Sequence, residues 1–364
     1  MELLYIFGAV VFVNCTYYLL FSIFAFSKTS QKEVMPDLPI SLLICAKNEA
    51  KNLTKHIPLW LNQNHQDFEL ILINDASTDD TLEVMESFAE QDSRIKIVDV
   101  KNNEAFWGSK KYALTLGIKR AKNEHLIFSD ADCLPASENW LALMAANFSK
   151  EKQLVLGYGG YTKKAGILNR LIRFETLMTA VQYLSYARAG IPYMGVGRNL
   201  GYTSTLYYDN RGFMNHIKIP SGDDDLFVND TATSHNTALC VSPEAFTYSL
   251  PKTTWKDWFR QKQRHYSTAR YYKSKHKFLL GLYSLSQILF WVLIPFMLLS
   301  DYWEYGLALL IFRFLIQYIV IGKTASKLRE NALIVFIPFL ELFLIICQMT
   351  IFISKRNKKQ VRWK

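Results

Sequence analysis

Cysteine is scarce in this chain: Cys15, Cys45, Cys133, Cys240 and Cys347 are scattered through 364 residues, and no two form a C-x-x-C pair. That spacing excludes a zinc ribbon and a disulfide framework, and it fits a reducing compartment. No G-x-G-x-x-G follows the first strand-like run and no Walker A sequence is present, which excludes a dinucleotide-binding Rossmann domain and a P-loop. Internal repeats, low-complexity tracts and nucleic-acid motifs are also absent. The formal net charge of +10 is therefore assigned to attraction toward anionic lipid headgroups, with no nucleic-acid partner expected. Charge is missing altogether from Leu3 to Phe26. That segment lacks a basic n-region and an A-x-A-like cleavage site, so it reads as a transmembrane helix and not as a signal peptide.

What is present is apolar and unevenly distributed: 50% of the residues are hydrophobic, too many for one ordinary soluble domain. The chain divides into an N-terminal membrane helix (1–27), a large mixed block (28–277), C-terminal membrane helices (278–354) and a basic tail (355–364). Further spans are expected at Leu279 to Ser300, Tyr302 to Ile321 and Ala332 to Ile353, the second carrying Arg313 and the third Glu341. Charges at membrane depth face protein or a polar cavity, or mark a segment that does not fully cross. Lys28, Lys32 and the basic residues of the large block put that block on the cytoplasmic side. If all three C-terminal segments crossed, the basic tail would end outside, against the positive-inside rule. One of them is therefore expected to be re-entrant or interfacial.

Inside the large block, Ile40 to Ala46 and Glu69 to Ile73 are unbroken apolar runs that end in polar clusters, Lys47-Asn48-Glu49 and Asn74 to Asp80. Such runs fit strands buried on both faces. Helical spacing lies between them at Ala50 to Asn62 and after them at Thr81 to Glu90, the latter opened by Ser77 and Asp80 in a capping-box pattern. Ile95 to Val100, Ser109 to Ala121 and His125 to Phe128 continue the alternation. The fold class is α/β, a mainly parallel sheet with helices on both faces, and ligands of such sheets bind beyond the carboxyl ends of the strands. Ile167 to Arg188, with Arg170, Arg173 and Arg188 among apolar residues, and Trp255 to Tyr272 read either as amphipathic helices at a membrane surface or as ordinary domain packing.

Asp130-Ala131-Asp132 leaves the strand-like run His125 to Ser129 with two carboxylates two residues apart. In extended backbone both point the same way and can meet one divalent cation and, through it, a diphosphate. Downstream lie the triplet Asp223-Asp224-Asp225 and then Gln261-Lys262-Gln263-Arg264-His265. Three adjacent carboxylates repel, so at least one is expected to hold its proton more tightly than usual, as suits a general base.

Taken with Ala46 to Glu49, Asn74 to Asp80 and Gly108-Ser109-Lys110-Lys111, this succession, in this order from Pro39 to Tyr266, resembles the family 2 glycosyltransferases. It is most similar to the membrane-embedded branch of hyaluronan, cellulose and poly-N-acetylglucosamine synthases and ceramide glucosyltransferase. The resemblance implies a GT-A-like fold, a nucleotide-diphospho-sugar donor, Mg²⁺ or Mn²⁺, and inversion at the anomeric carbon. It implies that Ala46, Glu49 and Asp75 line the nucleotide pocket, that Lys110 lies near the diphosphate with Lys111 as its understudy, and that Asp130 and Asp132 bind metal and phosphate. Asp224 is then the general base, with Asp223 as the alternative frame. Gln261, Arg264 and His265 stand where the family has Q-x-x-R-W: Arg264 is implied at the diphosphate, and His265 replaces the tryptophan that floors the acceptor site. Gly197 and Arg198 resemble the glycine-rich acceptor segment. The implied partners are the donor, a lipid-linked or saccharide acceptor, membrane lipids and an export protein. The competing class is a non-catalytic membrane scaffold that binds nucleotide sugars.

Overall fold

The structure is a computed structural model that describes residues 1–28, 38–101 and 110–355. Lys32, Gly108, Ser109 and the basic tail from 356 onward lie outside the described residues. A long helix, α1 (Glu2–Ala25), precedes an alternating series: β1 (Ile40–Ala46), α2 (Ala50–Leu61), β2 (Phe68–Asp75), α3 (Thr81–Gln91), β3 (Ile95–Val100), α4 (Lys110–Arg120) and β4 (His125–Asp130). Shorter elements follow: β5 (Cys133–Pro135), α5 (Trp140–Ala145), β6 (Leu154–Gly157), β7 (Gly159–Tyr161), α6 (Ile167–Arg188), β8 (Leu200–Thr203), α7 (Ser204–Asp209), α8 (Asp225–Thr231), β9 (Thr237–Cys240), β10 (Thr247–Ser249) and α9 (Trp255–His265). The chain ends in α10 (Ser274–Leu298), α11 (Trp303–Lys327) and α12 (Ile337–Lys355), the last preceded by a 3₁₀ turn at Asn331–Phe336.

The main sheet has the order β3-β2-β1-β4-β8-β6-β9. The strands β3, β2, β1 and β4 are mutually parallel, and β8 runs antiparallel to both β4 and β6. Alternate residues of β1 serve two cores, as the two-residue period of a strand requires. Leu42 and Ile44 meet Leu53, Ile57 and Trp60 of α2, whereas Leu43 and Cys45 join Ala113 and Ile118 of α4 on the other face. The helix α4 can press so closely because it carries Gly117, where an added Cβ would stand 2.2 Å from Ile73 Cδ1. A second, three-stranded sheet β5-β10-β7 begins directly after Asp132.

The polar turns after β1 and β2 are knitted together at the carboxyl edge of the sheet. Asn48 N donates to Ser77 Oγ at 3.0 Å and Thr78 N donates to Asn48 Oδ1 at 2.8 Å. Both turns need left-handed backbone, at Asn48 (φ 57°) and at Ala76 (φ 50°). Alanine tolerates this at a cost of about 1–3 kcal/mol, so the turn is held against local preference. The capping box expected of Ser77 and Asp80 is not formed. Ser77 Oγ is taken by Asn48, and Asp79 Oδ1 instead accepts from Thr81 N and Thr81 Oγ1.

The helices α1, α10 and α11, together with the segment Asn331–Ile353, are each long and apolar enough to cross a membrane. The bundle formed by α1, α10 and α11 packs on the α/β block through α6. Arg313 faces the bundle interior: its guanidinium donates to Gln317 Oε1, Gln287 Oε1 and Glu341 Oε1, each at 2.7 Å. The helix α12 also touches the domain beneath it. Gln348 Nε2 donates to Tyr266 Oη at 3.3 Å, and the Phe343 ring lies 5.7 Å from that of Trp255. For α6 the surface-lying alternative gives way to packing. Most of the helix is buried, and Arg173 forms a buried ion pair with Glu330 instead of reaching headgroups.

Candidate active site

The residues nominated from sequence gather at the carboxyl ends of β1, β2 and β4. Ala46 closes β1 opposite Asn74 and is buried. Asp75 closes β2, is 3% exposed, and its Oδ2 has no hydrogen-bond partner among the described residues. Burial pushes its carboxyl up, against the pull of Lys47 and Lys110. An orphaned buried oxygen of this kind costs about 1–3 kcal/mol, a cost that a ligand N–H or O–H would remove. Glu49 accepts from Asn52 Nδ2 at 2.5 Å, and its carboxyl is raised first by burial and then by Asp132.

Lys110, at the start of α4, ties the two acidic groups together. Its Nζ lies 2.7 Å from Asp130 Oδ1 and 3.2 Å from Asp223 Oδ2. Burial opposes the ammonium charge, but Asp130 and then Asp223 outweigh it and hold the lysine well above its ordinary range. Asp130 responds in kind. Burial would raise its carboxyl, yet Lys110, Arg198 and Arg264 bring it below the usual value. Asp132 goes the other way, raised by burial and by Asp130. Ligand atoms of Asp130, Asp132 and Cys133 lie within 4.8 Å of one another. A carboxylate pair in which Lys110 bonds one member while the other stays raised despite the charges of Arg198 and Lys252 matches the needs of a divalent cation.

The triplet splits into three separate tasks. Asp223 faces Lys110. Asp224 caps α8, its Oδ1 accepting from Asp225 N at 2.7 Å and its Oδ2 from Gly197 N at 2.8 Å. Burial, reinforced by Asp223 and Asp225, pushes its carboxyl up to about 7. Asp225 turns away to accept from Thr268 Oγ1 at 2.5 Å and Tyr272 Oη at 2.7 Å, and so pins the segment that follows α9 to α8. Ser129, Lys110, Gly197, Asp223 and Asp224 line one small cavity; Asp130 is tied to it through its ion pair with Lys110 and does not line it. Gly222 (φ 93°) supplies the left-handed turn into the triplet.

Lys111, the understudy in the sequence reading, has a different job. It is 1% exposed, and its Nζ donates to the carbonyls of His216 (2.8 Å), Ile219 (3.1 Å) and Ser221 (2.8 Å). It thereby fixes the loop that delivers Gly222 and the triplet. Burial lowers its pKa to about 8 against the pull of the triplet acids. Nothing in the local sequence announces this role, because the three acceptors are backbone atoms about a hundred residues away.

Arg198 is committed to structure through its guanidinium. It donates to Gly159 O at 2.8 Å and Gly160 O at 3.1 Å and stacks 4.4 Å over the Tyr161 ring, while its charge still bears on Asp130 and Asp132. Gln261 Nε2 donates to Tyr161 Oη at 3.4 Å, and the charge of Arg264 reaches Asp130. Surrounding protein, then Lys262, Arg264, Arg198 and Lys110, hold the imidazole of His265 well below its usual pKa, hence neutral. The helix carrying these residues is anchored from behind, where Lys262 Nζ meets Glu175 Oε2 at 2.5 Å and Tyr266 Oη donates to Glu175 Oε1 at 3.1 Å.

A mainly parallel sheet with paired acids at its carboxyl edge and a lysine beside them fits a fold of the GT-A type. Residues 41–198 match the family model "Glycosyl transferase family 2". An uncharacterized glycosyltransferase of Haemophilus influenzae is 27% identical over 146 residues, 40% of this chain and 56% of that protein. The cholesterol galactosyltransferase of Borreliella burgdorferi is 34% identical over 101 residues, 28% of this chain and 27% of that one. The alignments thus span about half or less of the curated relatives. Among solved structures, a mannosyltransferase from Pyrobaculum calidifontis in complex with GDP-Man and Mn²⁺ shares the fold, with a TM-score of 0.58 at 15% identity over 94% of this chain and 98% of that one.

Proposed function

We propose that the protein is an inverting, metal-assisted glycosyltransferase that moves a sugar from a nucleotide-diphospho donor, in our reading a UDP-sugar, to a hydroxyl of a lipid-linked or growing saccharide acceptor on the cytoplasmic face of the membrane. The observation that carries this reading is the Lys110 bridge between Asp130 and Asp223 beside Asp224. It brings groups suited to a diphosphate within one side chain of a candidate base. Asp75, with its orphaned oxygen, receives the nucleoside. Asp130 and Asp132, with Cys133 adjacent, are the residues that would hold Mg²⁺ or Mn²⁺. A cation bound there supplies positive charge to the departing diphosphate. Lys110 and Arg264 add fixed positive charge on the same side.

Asp224 takes the acceptor hydroxyl's proton on a carboxylate oxygen as the new C–O bond forms at the anomeric carbon. The bond to the diphosphate breaks with its electron pair going to oxygen. The hydrogen bond from Gly197 N orients that carboxylate. Gly197 itself leaves room for the approach, since even an added Cβ would stand 3.4 Å from Asp224. His265, neutral where the family has tryptophan, presents a flat ring to the acceptor. The contacts of α12 with Tyr266 and Trp255 favour an interfacial or re-entrant course for that helix. A reporter fused after Lys364 that proves external would reverse this topology.

The test is nucleotide release from a panel of UDP- and GDP-sugars with acceptor-containing membranes, with Mn²⁺ or Mg²⁺ and then with EDTA. Release that EDTA abolishes is expected for at least one donor. No cation-dependent release from any donor would favour the scaffold reading instead.

A further inference from the structure

We infer that the protein carries a site for the phosphate-bearing headgroup of an anionic membrane lipid, separate from the active site, in the cavity between the cytoplasmic end of α1 and the strand β9 of the main sheet. The cavity measures about 570 Å³ and shares no lining residue with the site around Lys110. Its walls are the last turn of α1 with Phe24, Ser27 and Lys28, the end of α6 with Arg188, the loop residue Lys152, and the strand β9. Among the described residues, three cations line it and no carboxylate does. A second layer of positive charge stands behind them. Lys327 Nζ donates to Phe24 O at 2.8 Å and Ser27 O at 2.7 Å, and Arg188 and Lys323 both bear electrostatically on Lys327.

Charge and position together select the occupant. Surplus cations without a counter-acid favour an anion, and lysines and arginines at a membrane boundary gain most from lipid phosphate. The place is such a boundary, because α1 is a candidate span and its cytoplasmic end forms one wall. On that same last turn Ile23 (45%) and Phe26 (57%) are exposed large apolar side chains, a surface that acyl chains would cover. Among the described residues, β9 pairs with β6 alone and is the last strand of the sheet. The ligand therefore bonds through phosphate to Lys28, Lys152 and Arg188, with its chains on α1.

The experiment uses the full-length protein in detergent with phosphatidylglycerol or phosphatidylcholine, reading the lipids retained by native mass spectrometry. Wild type should retain phosphatidylglycerol selectively. The variant K28Q/K152Q/R188Q should lose that retention by roughly 10- to 100-fold, and R188A alone by less. A control with the same charge change on distant exposed lysines, K51Q/K55Q/K119Q, should keep it. Equal retention of the two lipids, or equal losses in the two triple variants, would overturn the inference. So would full displacement by millimolar inorganic phosphate, which would make this an ion site. The single variant keeps the test open if the triple one folds poorly. Nucleotide release is a separate readout, so failure here leaves the transfer mechanism untouched.

Discussion

Two regions of this molecule bury charge, and they do it in opposite ways. Among the membrane helices, Arg313 is fully enclosed, with Gln287, Gln317 and Glu341 at 2.7 Å and Asn14 at 3.3 Å. At the sheet edge, Asp75 keeps an orphaned oxygen, Asp132 is repelled by Asp130, and Asp224 holds its proton up to about 7. A satisfied polar network binds helices to one another and specifies their register. An under-satisfied one retains free energy that ligand binding releases. The contrast therefore separates the part of the chain that holds shape from the part that does chemistry.

The sharpest way to break this comparison is D224N. It should keep donor binding and cut turnover by about two to four powers of ten, the usual loss for a general base. Steady-state kinetics beside donor titration checks it, and near-normal turnover would move the base to Asp223. On the other side of the contrast, R313M leaves Glu341 buried and unpaired and should destabilise the protein by about 3–5 kcal/mol, while R313M/E341L should recover most of the loss. Thermal melts in detergent decide between them. D132A should weaken cation-dependent donor binding by roughly 10- to 100-fold or more, read by calorimetry with and without EDTA, with little change in melting temperature.

The smallest effect is on pH. Asp224 must be ionised to accept a proton, so with its carboxyl at about 7 kcat/KM should fall below that pH. Lys111 donates to three carbonyls only while charged, and with its amine at about 8 activity should decline again above that value. The replacement K111R keeps the charge at high pH and should remove the alkaline limb alone. Persistence of that limb would acquit Lys111.

The strands β1 and β3 were legible to the residue, because unbroken apolar runs bounded by polar clusters leave little choice. Asp130, Asp132 and the triplet were legible as chemistry through their residue types and order. Other features were not. The strands β5, β7 and β10 have three residues each, too few to show a period. The antiparallel insertion of β8 depends on pairing with β4, some seventy residues upstream. For Arg173 in α6 the sequence left surface lying and domain packing equally open, because its buried partner, Glu330, lies 157 residues away. Asp225 could not be told from its neighbours until Thr268 and Tyr272 came into view.

The most direct measurement is an experimental structure with UDP and Mn²⁺, the cation located by its anomalous scattering. The cation is predicted on the Asp130 and Asp132 carboxylates, with the diphosphate beside Lys110, the nucleoside against Asp75, and Asp224 across the same cleft. A cation bound elsewhere, or a diphosphate walled off from Asp224, would contradict the division of labour among these acids.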